Sequence, residues 1–203
     1  MKLKITILPH KNRECPQAEI WLNDKKLYDG IITPNNKKYF IFENTILLDP
    51  TYYTNTLKII HKKKNNKDTT VINDVIVKDK AIELKSISFD DYKLPDLFLY
   101  GQRFYPIWPN NIKQEKKELP EYITDNLYFG FNGEYSFTFD SDYKKWYFNV
   151  LLWKEKQSNR NNQQLITLPS GKVIDTFEFA GKTTRADKEV DLTISELYAL
   201  INQ

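Results

Sequence analysis

The chain has 203 residues, 40% hydrophobic and 14% aromatic, with a formal net charge of +3. That is enough apolar material for one sizeable core, or for a core with a small extension, and too little charge for a global field drawing nucleic acid or an anionic membrane. A single cysteine, Cys15, excludes an intramolecular disulfide. With only His10 and His61 in the chain, it reads as a buried inert thiol rather than a metal ligand or nucleophile.

From the N-terminus, "KLKITIL" alternates Leu3, Ile5 and Ile7 against lysines and threonine, the pattern of a half-buried strand. "AEIWL" and "KKLYDG" follow, with Asn23-Asp24 between them as a hairpin turn, and "KYFIFENTILL" and "TLKIIH" supply further strands around Asp49-Pro50. "KKKNNKDTT" interrupts the pattern. "AIELKSISF" resumes it out of phase, since Ile82 and Leu84 oppose Ile87 and Phe89, and a bulge at Lys85 or Ser86 would return all four to one face. Short strands at this spacing, punctuated by Pro, Asn and Asp, point to an antiparallel sandwich or barrel. With 6 glycines and no phosphate-loop pattern, nothing suggests a nucleotide-binding α/β fold.

The stretch "NLYFGFNGEYSFTF", residues 126–139, carries six aromatics. Asn132-Gly133 predicts a hairpin. A three-residue loop, with Gly133 in a left-handed position, puts Leu127, Phe129, Tyr135 and Phe137 on one face. These side chains are expected in the core, with Tyr128 exposed. "SDYKKWYFNVLLWKEKQ" then changes period: Tyr143, Trp146, Tyr147, Val150 and Leu151 fall at helical spacing behind a Ser141 or Asp142 cap. A strand remains the alternative for "WYFNVLLW". "QSNRNNQQ", residues 157–164, reads as a linker. Beyond it, "LITLPSGKVIDTFEF" predicts a hairpin turning at Pro169-Ser170-Gly171, and Thr193 with Glu196 makes a capping box before the stripe Leu197, Leu200, Ile201. The expected organisation is a β-sandwich domain over 1–156, a linker over 157–164 and a C-terminal arm over 165–203. An arm of about forty residues is too short to bury a core of its own and must dock on something. Leu197, Leu200, Ile201, Phe177 and Phe179 are its candidate partner-binding residues.

Chemical motifs are sparse. "HKKKNNKD" reads as a solvated basic hairpin tip, not a nucleic-acid grip, because no aromatics interleave with it. Asp90, Asp91 and Asp142 are oxygen ligands in search of a cation loop, and turn or cap roles explain them as well. No Ser, His and Asp are placed together, and no paired carboxylates can be assigned to a cleft. The expectation is therefore a non-enzymatic protein without cofactor or metal. "LYGQRFYPIWPNN" is the densest candidate, with Tyr100, Arg103, Tyr105 and Trp108 as an interface or sugar-stacking loop and Tyr128 beside it. In the competing reading the loop folds over one end of the sandwich, with Trp108 plugging the core.

"IIHKKKNNKDTTVINDVIVKDKAIELKSISFDDYKLPDLFLY" and "LPEYITDNLYFGFNGEYSFTF" resemble, in order and spacing, small β-rich proteins encoded by tailed phages, particularly marine and cyanobacterial ones. The likeness covers about residues 55–140. It implies a mainly β chain, a jelly-roll or carbohydrate-binding-module-like antiparallel sandwich, and a virion component; it transfers no catalytic residues. Together with the arm, it leads to the expectation of a non-enzymatic phage structural or assembly protein. Its C-terminal arm would attach to the particle or to sister subunits, in the virion after synthesis in the host cytoplasm. A carbohydrate-binding module for host adhesion is the alternative. Nucleic acid is not expected as a partner, given the small net charge and the lone basic tip, nor is a membrane, since no charged leader and no long apolar run is seen.

Overall fold

Period-two alternation is realised strand by strand. The computed structural model describes residues 1–161 apart from 50, 74, 116 and 117, together with 165–167 and 173–175. In it, β1 (Lys2–His10) buries Leu3, Ile5 and Ile7. β2 (Gln17–Leu22) and β3 (Lys25–Ile31) form the hairpin expected at Asn23-Asp24, with Asn23 in the left-handed region at φ 52°. β4 (Phe40–Thr45) and β5 (Thr54–Lys62) follow, and among the described residues β6 (Thr69–Ile72) and β7 (Val75–Asp79) pair only with each other. Next come β8 (Ala81–Phe89), β9 (Tyr92–Lys93), α1 (Asp96–Tyr100), β10 (Arg103–Pro106) and α2 (Asn110–Glu115). The first 161 residues close with β11 (Tyr128–Phe129), β12 (Gly133–Asp140) and α3 (Tyr143–Asn161).

The strands form two antiparallel five-stranded sheets. One has the order β11-β8-β1-β4 with β9 beside β8, and the other has the order β10-β12-β5-β2-β3. They pack face to face through aromatic rings from both layers. Phe89 meets Phe139 with ring centroids 4.6 Å apart, Phe104 stacks on Phe129 at 4.7 Å and 10°, and Tyr28 meets Phe40 at 5.2 Å. The chain is thus mainly β and antiparallel, a sandwich with its core between the sheets. The phase shift in β8 is a bulge at Lys85: the register passes from Thr6↔Ser86 to Ile7↔Leu84, so Ile82, Leu84, Ile87 and Phe89 all point inward.

The Asn132-Gly133 hairpin does not form. β11 pairs with β8 in one sheet while β12 pairs with β5 and β10 in the other, so the chain crosses between the sheets here. Asn-Gly sets a bend, but which strand each flank joins is decided by the longer ladder that β5 offers to β12. The aromatics are nonetheless core: Leu127, Phe129, Tyr135 and Phe137 are buried, and Phe129 stacks on Tyr135 at 5.2 Å from the opposite sheet. Gly133 is fixed by close approach and not by a bulged loop, since a Cβ there would lie 2.4 Å from the Tyr105 carbonyl oxygen.

At the far end from β6 and β7, α3 starts behind Asp142, whose carboxylate accepts the Lys145 amide at 3.2 Å. The helical reading of this segment is correct. Trp146 enters the aromatic cluster, 5.3 Å from Phe98 and 5.8 Å from Phe139, and Val150 is buried. α3 continues through Asn161, so residues 157–161, expected to open a linker, are helical. The chain divides into two units, residues 1–154 and 155–203. In the second, β13 (Leu165–Thr167) and β14 (Val173–Asp175) pair antiparallel, as a hairpin there requires. The turn at Pro169-Ser170-Gly171, Phe177, Phe179 and the terminal segment with Leu197, Leu200 and Ile201 lie outside the described residues.

Gly133→Ala should destabilise the protein by about 1–3 kcal/mol through overpacking against β10. Gly101→Ala, whose Cβ would meet carbonyls at an ordinary 3.5 Å, should stay within about 0.5 kcal/mol of wild type. Urea denaturation of the two variants side by side checks this.

Candidate functional site

One end of the sandwich gathers the polar chemistry. The β5–β6 connection is a single turn of 3₁₀ helix, Asn66–Asp68, closed by a reciprocal cap: the Asn65 side chain accepts from the Lys67 amide and the Asp68 side chain from the Asn65 amide, both at 2.9 Å. Asn12, from the β1–β2 turn, donates to the Asp68 carbonyl at 3.0 Å and to the Thr70 hydroxyl at 3.1 Å. These contacts seat the root of the β6–β7 ribbon on the sandwich.

Asp79 is the centre of that root. Its Oδ1 accepts from the Lys64 ammonium, from the Thr69 hydroxyl at 2.7 Å and from the Lys80 amide at 3.0 Å; its Oδ2 accepts from the Tyr128 hydroxyl at 2.7 Å. Lys64 also donates to the Gly130 carbonyl, and Asn132 brackets the Lys64 backbone with two hydrogen bonds of 2.8 Å. Both charged side chains are buried, at 8% exposure for Lys64 and 5% for Asp79. Burial by itself would raise the Asp79 carboxyl, but the hydrogen bonds from Lys64, Thr69 and Tyr128 outweigh it and hold the pKa below the ordinary value. The Tyr128 hydroxyl is pushed well up, first by burial and then by the Asp79 charge it faces.

Beneath this pair lies His61, 1% exposed, facing inward from β5. Its Nδ1 donates to the Phe131 carbonyl at 2.8 Å, which leaves Nε2 as the bare acceptor, without a partner among the described residues. Burial pushes its pKa from 6.5 down to about 4, against the opposing pull of the Phe131 carbonyl. Beside the cluster opens a cavity of about 450 Å³ with apolar walls that include Val71, Ile76, Phe104, Ile107 and Ile123, and with Lys64, Asp79 and Tyr128 at its polar side. The β6–β7 ribbon forms one wall and projects beyond it. Val71, Ile72, Val75, Ile76 and Val77 are between 48% and 61% exposed.

The residues expected to make one site are dispersed. Tyr100 ends α1, 42% exposed. Arg103 lies over the Tyr122 ring at 4.4 Å and Tyr105 sits 5.9 Å from the same ring, so these two meet a tyrosine the sequence reading passed over. Trp108 is not the core plug: it is half-buried, its indole N–H donates to the Pro120 carbonyl at 3.0 Å, and its ring rests on Phe131 at 4.9 Å. Phe104, 1% exposed, plugs the core instead, because β10 is a strand and turns that position inward. Tyr128 is half-buried rather than exposed. "HKKKNNKD" is not a free tip either, since Lys64 is drawn inside while Lys63 and Lys67 stay in solvent. Cys15 is half-buried, not buried. Asp90 accepts from the Lys2 amide and the Tyr143 hydroxyl, a turn role, and no cluster of three metal-ligating residues occurs among the described residues. The aliphatic ribbon was missed, although "VINDVIV" carries its signal: an Asn-Asp turn between aliphatics.

Compared with known proteins, the chain matches no family model, no curated protein and no solved structure. Among the described residues, no helix is long and apolar enough to cross a membrane.

Because unfolded His61 binds a proton below pH 6.5 and the folded form does so only near 4, its contribution is full above pH 6.5 and is lost as pH falls through that window. The loss should approach about 3 kcal/mol. Urea denaturation at pH 7.5 and 4.5 should show it as a difference between wild type and His61→Gln, whose stability should fall less on acidification.

Proposed function

We propose that the chain is a non-catalytic attachment protein of a tailed-phage particle. In this reading the C-terminal arm joins the particle or sister subunits, and the sandwich presents the β6–β7 end to a target. The observation that carries it is the ribbon itself. Five aliphatic side chains within seven residues stand about half exposed or more, and apolar surface held out in this way marks a contact site in a stable protein. Around it the polar groups bond to one another: Asp79, Lys64, Asn132 and Tyr128 all find partners within the cluster. That supports a stiff mount for a contact surface. The resemblance to small phage proteins spans this same segment. The arm's candidates, Phe177, Phe179, Leu197, Leu200 and Ile201, remain the proposed link to virion proteins or to further copies.

Glycan binding for host adhesion is the second reading, and it draws on one patch. Tyr105 and Tyr122 stand together at the surface beside Arg103, the side-chain types that stack on sugar rings and reach hydroxyls. Trp108 supports it less, with its N–H and one ring face already engaged.

Particles purified from the producing host should contain the full-length chain. Leu197→Asp/Leu200→Asp/Ile201→Asp should be lost from them at least about tenfold, while its thermal melt stays within the range of surface substitutions, about 0.5 kcal/mol. Quantitative mass spectrometry of gradient-purified particles reads the incorporation, and a circular-dichroism melt of the purified chain reads the stability. Particles devoid of the wild-type chain, or carrying the variant equally, would contradict the attachment reading.

A further inference from the structure

We propose that the β6–β7 end docks on an anionic lipid bilayer, with its aliphatic tip in the boundary between headgroups and acyl chains and its surrounding cations against the lipid phosphates. This rests on the reading of that end as a contact surface and names what it contacts.

The tip is apolar on both faces. Val71 stands opposite Ile76 and Ile72 opposite Val75 in a two-stranded ribbon, so the two pairs point to opposite sides, and all four are more than half exposed. The Val71–Ile76 pair borders the cavity, so the Ile72–Val75 pair on the other side is the face that enters the bilayer boundary first. From its root at Thr69 and Asp79 the ribbon extends four residues to its turn, or roughly 10 Å, the depth to which interfacial elements sink. Val71, Ile72, Val75, Ile76 and Val77 are aliphatic, which fits acyl chains, and the ribbon carries no aromatic ring on which a nucleic-acid base could stack.

Cations encircle the root. Lys11 and Arg13 lie in the β1–β2 turn, Lys63 and Lys67 in the β5–β6 connection and Lys78 on β7, and all five are exposed. Their common end is fixed by contacts: Asn12 is bonded to Asp68 and Thr70, and the Lys80 ammonium lies 3.5 Å from both the Lys63 carbonyl and the Glu14 carboxylate. None of the five forms an ion pair with a described acid, while Glu14, Asp68 and Asp79, the acids of this end, are engaged by Lys80 or Lys64. One further acid, Asp74, falls between β6 and β7 in the sequence, against five cations that have no ion-pair partner among the described residues. The net charge of +3 conceals this arrangement, because the excess is local to the end that carries the apolar tip. The Lys64–Asp79 pair mounts the ribbon in advance, so little ordering remains for docking.

The test is sedimentation of the full-length chain with vesicles of phosphatidylcholine containing about 30 mol% phosphatidylserine, with phosphatidylcholine vesicles as control. The chain should pellet with the anionic vesicles and at least about tenfold less with the neutral ones. Ile72→Asp/Val75→Asp and, separately, Lys63→Glu/Lys67→Glu should each reduce binding about tenfold, with unchanged circular-dichroism melts showing that the variants fold. The proposal fails if the chain stays in the supernatant with anionic vesicles. It fails equally if the tip variant binds as well as wild type, since adsorption would then be by charge alone. It also fails if light scattering shows an oligomer that Ile72→Asp/Val75→Asp converts to monomer without vesicle binding; the end would then be a protein interface, and the attachment reading would stand.

Discussion

The carboxylate of Asp79 is the contact on which the β6–β7 end of the sandwich is assembled. Four donors from four parts of the chain converge on it: Lys64 from the β5–β6 connection, Thr69 from β6, the Lys80 amide between β7 and β8, and Tyr128 from β11. Through Lys64 it also reaches the Gly130 carbonyl, where the chain passes from one sheet to the other. A buried ion pair of this kind contributes little net stability compared with apolar packing, but losing one partner strands the other charge at a cost of about 3–5 kcal/mol. Its role here is specificity of position. Its hydrogen bonds tie the end of β7 to β6, to the β5–β6 connection and to β11.

The rest of the end follows from that fixed root. With the ribbon anchored, its aliphatic tip cannot fold back to cover itself, and Val71 and Ile76 wall a cavity without filling it. The positive charges that accompany the root divide into two sets. Lys64 and Lys80 are drawn inward by Asp79, Asp68 and Glu14, and the others are left facing solvent around the ribbon. His61 is held neutral below them by burial, close to two cations that disfavour its protonation. The bonded root and the apolar exposure at the tip are two consequences of one arrangement, and the proposed contact role rests on both.

Much of the sandwich was legible in the sequence because period-two alternation is local. Leu3, Ile5 and Ile7, the Asn23-Asp24 turn and the Lys85 bulge needed only neighbouring residues to be read, and so did the core assignment of Phe129 and Tyr135. Pairing partners were not legible. Asn132-Gly133 announces a bend, yet whether the flanks pair with each other or with the distant strands β8 and β5 depends on ladders assembled from the whole chain. The same limit hid the site. Phe104 and Trp108 are both large aromatics in one proline-rich stretch, and only the placement of β10 against β12 selects Phe104 for the core. Lys64 looks like any member of a lysine run until Asp79, fifteen residues on, is folded against it.

The most direct measurement is amide hydrogen exchange of Asp79→Asn against wild type. If Asp79 mounts the ribbon, the amides of residues 69–78 should lose protection by at least about tenfold, while those of β1, β5 and the inward-facing part of β8 keep theirs. Unchanged protection in the ribbon, or a uniform loss across both sheets, would contradict the account: the first would mean that the ribbon stands without its carboxylate, and the second that Asp79 supports the whole fold and not its contact end.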